Sequence, residues 1–137
     1  MKTLVVLLAL ALALPASALG GDPVTRTFNA PKDKVWSVTQ AVLKTMDWDI
    51  DKEDQPTGLM VTESRKIDGE DWGVYEKSVR HRMQLHVKDV GGNKTTVTIE
   101  RSVFERERKV FVNEDKPIPA KDQTVEKAVL DAIAKSL

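Results

Sequence analysis

Residues 79–103 read VRHRMQLHVKDVGGNKTTVTIERSV and carry the strongest pattern in the chain. Val79, Met83, Leu85 and Val87 alternate with Arg80, Arg82, Gln84, His86 and Lys88, so the first set points to one face of a strand and the second to the other. Gly91-Gly92-Asn93 has the composition of a tight turn, because glycine and asparagine accept the left-handed backbone that such a turn needs. The chain returns from Thr95 with Val97, Ile99 and Val103 on the apolar side. This is an antiparallel hairpin with one wet and one dry face, and the rest of the domain has to cover the dry one.

Reading toward the N-terminus, Ile67 to Ser78 lacks a clear period and contains Gly69 and Gly73, which predicts a long loop. Leu59 to Lys66 reads as a strand entered from the turn Gln55-Pro56-Thr57-Gly58. Asp47-Trp48-Asp49-Ile50-Asp51 alternates strictly and reads as its partner strand. From Pro31 to Met46 the residues Val35, Val38, Val42, Leu43 and Met46 recur at three and four, the spacing of a one-sided helix. Pro31 suits its first position, and Val24 to Asn29 has the composition of a strand leading into it.

Reading toward the C-terminus, Phe104, Val110 and Val112 are even-numbered where the earlier inward residues are odd, which predicts a bulge or a new strand after Val103. Asn113 to Pro119, with two prolines, reads as a loop. Asp122 to Leu137 reads as a helix with the stripe Val125, Val129, Ile133 and Leu137. The expected order is β-α-β-β-β-β-α. The expected fold is α+β, an antiparallel sheet curled around a C-terminal helix.

Lys2, the apolar run Leu4 to Leu14, Pro15 and the small residues Ala16-Ser17-Ala18 have the layout of an export signal cleaved after Ala18. The apolar run falls short of the roughly 20 residues of a membrane span. Residues 19–22 read as a short flexible leader and 23–137 as one domain. The chain has no cysteine, hence no disulfide and no lipid-attachment site after the signal. A periplasmic or secreted location is therefore expected. Basic and acidic residues number 21 each, which gives no reason to expect a nucleic-acid partner.

Phe28-Asn29-Ala30-Pro31-Lys32-Asp33-Lys34-Val35-Trp36, with Leu43, the alternation Trp48 to Ile50 and the phrase Thr57-Gly58-Leu59-Met60-Val61-Thr62, resembles the helix-grip domains of the BamC-like family of outer-membrane assembly lipoproteins and their periplasmic relatives. The likeness covers about half of the mature chain and is one of packing positions. It implies a helix-grip fold and work in the cell envelope, although the missing cysteine departs from the family's lipid anchor. More distantly, the opening strand and the Ala-Pro-x-x-x-Val-Trp phrase are similar to START and Bet v 1-like helix-grip proteins, a likeness that implies enclosure of apolar ligands.

No residue pattern points to catalysis. His81 and His86, the two histidines, have opposite parity on one strand and cannot share a metal, though His81 falls on the core face and can make stability pH-sensitive. The serines lack a nucleophile elbow, and the many adjacent carboxylates carry no sign of convergence. No enzyme activity, cofactor or metal is expected. Asn93-Lys94-Thr95 has the form of a glycosylation sequon, but the turn already accounts for Asn93.

Trp72 and Tyr75, loop aromatics between glycines and acids, are the expected partner contact. Arg80 and Arg82, with Arg106 and Arg108, are candidates for a cationic stripe facing an anionic surface, with Glu100, Glu105 and Glu107 available to neutralise it. The expected function is a non-catalytic binding or accessory module that contacts an envelope protein. The alternative is a carrier that encloses a lipid or other apolar molecule between sheet and C-terminal helix, lined by Met83, Ile99, Val129 and Ile133.

Overall fold

The computed structural model describes residues 22–72 and 75–137, and for 68–72 and 75–76 the backbone alone. The elements are β1 (Val24–Phe28), α1 (Lys32–Thr45), β2 (Ile50–Asp54), β3 (Leu59–Thr62), β4 (Arg65–Trp72), β5 (Tyr75–Gly91), β6 (Lys94–Arg108), β7 (Asn113–Ile118) and α2 (Thr124–Ser136). The export-signal residues 1–18 and most of the leader lie outside the described residues.

The β5–β6 hairpin is the spine. Its pairing runs from Gly91↔Lys94 to Glu76↔Arg108, with an irregularity only beside the turn at Asp89/Gly91. The central strand order is β1-β6-β5-β3-β2, with β4 also pairing β5 and β7 also pairing β6. Each long strand thus has two neighbours in series along its outer side. β3 pairs with Leu59↔His86 to Val61↔Gln84, and β4 takes over at Arg65↔His81. On the other side β1 pairs with Thr95 to Ile99 and β7 with Val103 to Arg108.

Both helices lie against one face of this sheet and against each other. Met83, Leu85, Val87, Val97 and Ile99 from the spine, Val35, Val42 and Leu43 from α1, Val129, Leu130 and Ile133 from α2, and Trp48 and Met60 form one buried cluster. Most of these side chains are wholly withdrawn from water, each contributing on the order of 1.5–3 kcal/mol. The architecture is α+β and helix-grip-like, as the alternation in 79–103 implies.

Two predicted loops are strands. The segment predicted as loop from Ile67 to Ser78 contains most of β4 and the start of β5. Its period was hidden because the register shifts between Lys66 and Asp68, and such a bulge moves every later side chain to the other face. The segment Asn113 to Pro119 contains β7, a charged strand with Pro117 inside it. As an edge strand it tolerates a proline whose missing N–H would face solvent.

The bulge or new strand expected after Val103 is absent, since β6 continues in register to Arg108. Phe104 therefore turns to the face opposite the helices, where the Arg82 and Arg106 guanidinium carbons lie 5.7 and 5.3 Å from its ring centroid. It is buried there. Val110, Phe111 and Val112 lie at the β6–β7 turn and are exposed, Phe111 by 95%.

Local turns follow their sequence. α1 starts one residue later than predicted, with Pro31 just before it in extended conformation. It ends where Asp47 takes a left-handed backbone (φ 62°) and the Trp48 N–H donates to the Leu43 carbonyl at 2.8 Å, which closes the helix and turns Trp48 into the core. Gly58 (φ 76°) closes the β2–β3 turn and accepts from the Val87 N–H at 2.7 Å, and a Cβ there would collide with the Val87 carbonyl oxygen. Gly58→Ala is expected to cost more than about 2 kcal/mol, measurable as a lowered midpoint in urea denaturation.

Candidate functional site

The helices cover the half of the dry face nearer the Gly91-Gly92 turn. Beyond the start of α2 the same face continues with no helix of the described residues above it. Val79 and His81 of β5, Arg101 and Val103 of β6, Ile67 at the β4 bulge, Ile118 of β7, Pro119, Lys121, Asp122 and Val125 line a cleft there of about 400 Å³. That size lies within the range of small-molecule sites. The walls are branched aliphatic side chains, and the charged groups gather at the end nearest α2.

That end is a buried polar network. Arg101 Nε donates to Glu126 Oε1 at 2.6 Å, with side chains 6% and 1% exposed. Arg101 Nη2 donates to the Asp122 carbonyl at 2.9 Å, and Nη1 lies 3.2 Å from His81 Nδ1. On the far side of the imidazole, Arg65 Nε is 3.3 Å from His81 Nε2, while Arg65 Nη1 donates to the Met46 carbonyl at 2.9 Å. The Arg65 guanidinium carbon sits 3.8 Å from the centroid of the Trp48 ring, and the Trp48 and His81 rings are 4.7 Å apart, tilted by 50°. The stacking is of the cation–π kind.

His81 is thus held between two guanidinium groups. A neutral imidazole has one acceptor nitrogen, so it satisfies one of the two donors aimed at it, and a proton would remove that acceptor. Burial, then the charges of Arg101 and Arg65, lower its pKa from 6.5 to about 4. The Thr124 N–H, bonded to the Asp122 carboxylate at 3.1 Å, holds that exposed carboxyl below the usual carboxylate range.

The four arginines singled out in the sequence share one face, opposite the helices. By register Arg80 faces Phe104, Arg82 faces Ser102, Arg106 faces Ser78 and Arg108 faces Glu76. Arg80 donates to Ser64 Oγ and to the Ser64 carbonyl, both at 2.9 Å. Arg106 forms a two-pronged pair with Asp115 at 2.8 and 3.0 Å, and those bonds hold the Asp115 carboxyl below its ordinary value. Glu105 and Glu107 belong to the opposite face, where Glu105 meets Lys77 at 3.3 Å. The counter-charge for Arg106 comes from β7, the segment predicted as a loop.

His86 lies on the outer face beside Gln84 Nε2 at 3.1 Å, across the sheet from His81. Trp72 and Tyr75 are Cα partners at the end of the β4–β5 pairing, and their side chains lie outside the described residues. Met83, Ile99, Val129 and Ile133 lie between sheet and α2 as fully buried members of the core cluster. The cleft is beside α2, lined by other residues. Asn93 has φ 58°, as a turn residue should.

Sequence reasoning missed Arg65, Arg101, Glu126 and the wall residues Ile67, Ile118 and Val125. One signal was readable. Arg101 stands at an inward position between Ile99 and Val103, and a charge in a core register demands a partner. Among the described residues no group of His, Asp and Glu converges to hold a metal ion, and no helix is long and apolar enough to cross a membrane.

No protein-family model and no curated protein matches the sequence. Among solved structures the chain is similar to a TBP-like protein from Parabacteroides distasonis, with 12% identity and a TM-score of 0.48 over 87% of this chain and 96% of that one. It is also similar to a norcoclaurine synthase from Thalictrum flavum, with 12% identity and a TM-score of 0.37 over 84% of this chain and 92% of that one. The fold assignment rests on the strand order and register of this chain itself.

Two outcomes follow for the network. Between pH 6.5 and about 4 the unfolded chain takes up a proton that folded His81 refuses. Stability is therefore expected to fall as the pH drops through that window, by up to about 3 kcal/mol at about 1.4 kcal/mol per pH unit. His81→Gln should flatten that limb in a series of urea titrations, and an unchanged acid limb would refute the assignment. Glu126→Leu leaves Arg101 buried without its anion and should cost about 3–5 kcal/mol, most of it regained in the Arg101→Met, Glu126→Leu double variant. Thermal unfolding of the three proteins side by side reads this directly.

Proposed function

We propose that this chain is an exported, non-catalytic binding module of the cell envelope that holds the apolar body of a small molecule in the cleft beside α2. The observation that carries the reading is the cleft itself, about 400 Å³ walled by Ile67, Val79, Val103, Ile118 and Val125 on a face that α2 leaves open. Burying such walls against an apolar ligand releases bound water and is favourable in proportion to the area covered. Export is supported by the layout of residues 1–18, and kinship to BamC-like helix-grip domains by the Phe28–Trp36 and Thr57–Thr62 phrases. A non-catalytic role agrees with a His81 ring enclosed between Arg65 and Arg101 and weakly basic.

A second reading, contact with an envelope protein, is favoured by Val110, Phe111 and Val112. Three consecutive exposed apolar side chains at a hairpin tip are unusual unless a partner covers them.

The test of the cleft is titration of the full chain with 1-decanol, followed by amide NMR. Shifts are expected to concentrate at Val79, Val103, Ile118 and Val125, and Ile118→Trp, which fills the cleft from its edge strand, should abolish them. Shifts scattered over the surface, or indifferent to Ile118→Trp, would overturn the reading.

A further inference from the structure

We infer that the cleft selects a ligand with a single anionic oxygen head of the carboxylate class on its apolar body, with the head at the Arg101 and Lys121 end; this rests on the cleft reading above and deepens it.

The charges around that end do not cancel. Arg101 and Lys121 line the cleft together with Asp122. Glu126 is bonded to Arg101, and Arg65 stands directly behind His81. With His81 neutral, Arg101, Lys121 and Arg65 stand against Asp122 and Glu126, and Asp22 and Lys127, which border the same residues on the other side, add one charge of each sign, so one positive charge is left over. Asp122 already accepts the Thr124 N–H, and Glu126 is committed to Arg101 Nε.

The donors at this end outnumber the acceptors as well. A guanidinium carries five N–H groups; the bonds of Arg101 to Glu126 and Asp122 use one each on Nε and Nη2, and Nη1 directs one toward His81 Nδ1, 3.2 Å away. The second hydrogens of Nη1 and Nη2 remain on a side chain that lines the cleft and is 6% exposed. Lys121 adds an exposed ammonium at the rim. The first turn of the 13-residue α2 borders the same end through Val125 and contributes its positive dipole.

A monoanion matches the surplus of one charge, whereas a dianionic phosphate would exceed it. A neutral head would leave the spare donors of Arg101 without an acceptor inside a partly dry site, which costs free energy. The aliphatic walls then take the rest of the molecule.

The experiment compares decanoate, 1-decanol and decyltrimethylammonium, which share one chain and differ in head charge, by isothermal titration of the full chain at neutral pH. Decanoate is expected to bind at least about tenfold tighter than decanol, the scale of a charge-assisted hydrogen bond in a sheltered site, with the cation weakest. Lys121→Gln should narrow the ratio of decanoate to decanol affinity several-fold. Equal binding of decanoate and decanol, or preference for the cation, overturns the head-group inference while the cleft reading survives. Binding of none of the three overturns both.

Discussion

The β5–β6 ladder is longer than either of the two described helices that pack on it. Strands of 17 and 15 residues extend about 50 Å at roughly 3.3 Å per residue. Helices of 14 and 13 residues reach about 20 Å at 1.5 Å per residue. The helices keep the dry sheet face from water over the length they span. The uncovered half has to be managed by other means, and nearly every unexpected feature of the molecule lies there. β4 and β7 flank it as edge strands, Phe104 moves to the opposite face under two guanidinium groups, and the inner face opens into a cleft.

The boundary between the covered and uncovered halves is marked by charge. Arg101 and Glu126 meet where α2 begins, at positions that would otherwise be aliphatic. A pair this deeply buried loses much of its Coulomb attraction to the cost of leaving water, so it is a poor source of net stability. Its geometric effect is definite, because Arg101 also grips the Asp122 carbonyl and thereby ties the segment before α2 to β6. His81 and Arg65 extend the network to Trp48, linking the end of α1 to the same point. The helix pair is anchored to the sheet at one polar node as well as through the apolar core.

Much of this site was hidden in the sequence for identifiable reasons. The cleft walls come from β4, β5, β6, β7 and α2, and no local pattern records which of them meet. Ile67 faces the cleft because of a bulge, which is an irregularity of pairing. Met83, Ile99, Val129 and Ile133 share the buried cluster between sheet and α2, as their places on the apolar stripes imply. Whether buried side chains leave a void between them is a matter of packing volume, which a sequence pattern does not record. The arginine face was legible from parity, but its counter-ion was not, since Asp115 reaches Arg106 only through the pairing of β7.

The sequence alone determined the inward and outward faces of the spine, its turn at Gly91-Gly92-Asn93, the two amphipathic helices and the α+β class. These are local consequences of period, turn chemistry and the burial of one apolar face, so neighbouring residues suffice to specify them. Tertiary structure alone decided that β4 and β7 are strands, that Phe104 leaves the core side, and that Arg101, Glu126, His81 and Arg65 converge beside a cleft. Those features depend on how far each helix reaches along the ladder and on which edge a charged segment finds to pair with. Both are relations between residues distant in the chain, and the free energy that settles them exists only once the sheet is assembled.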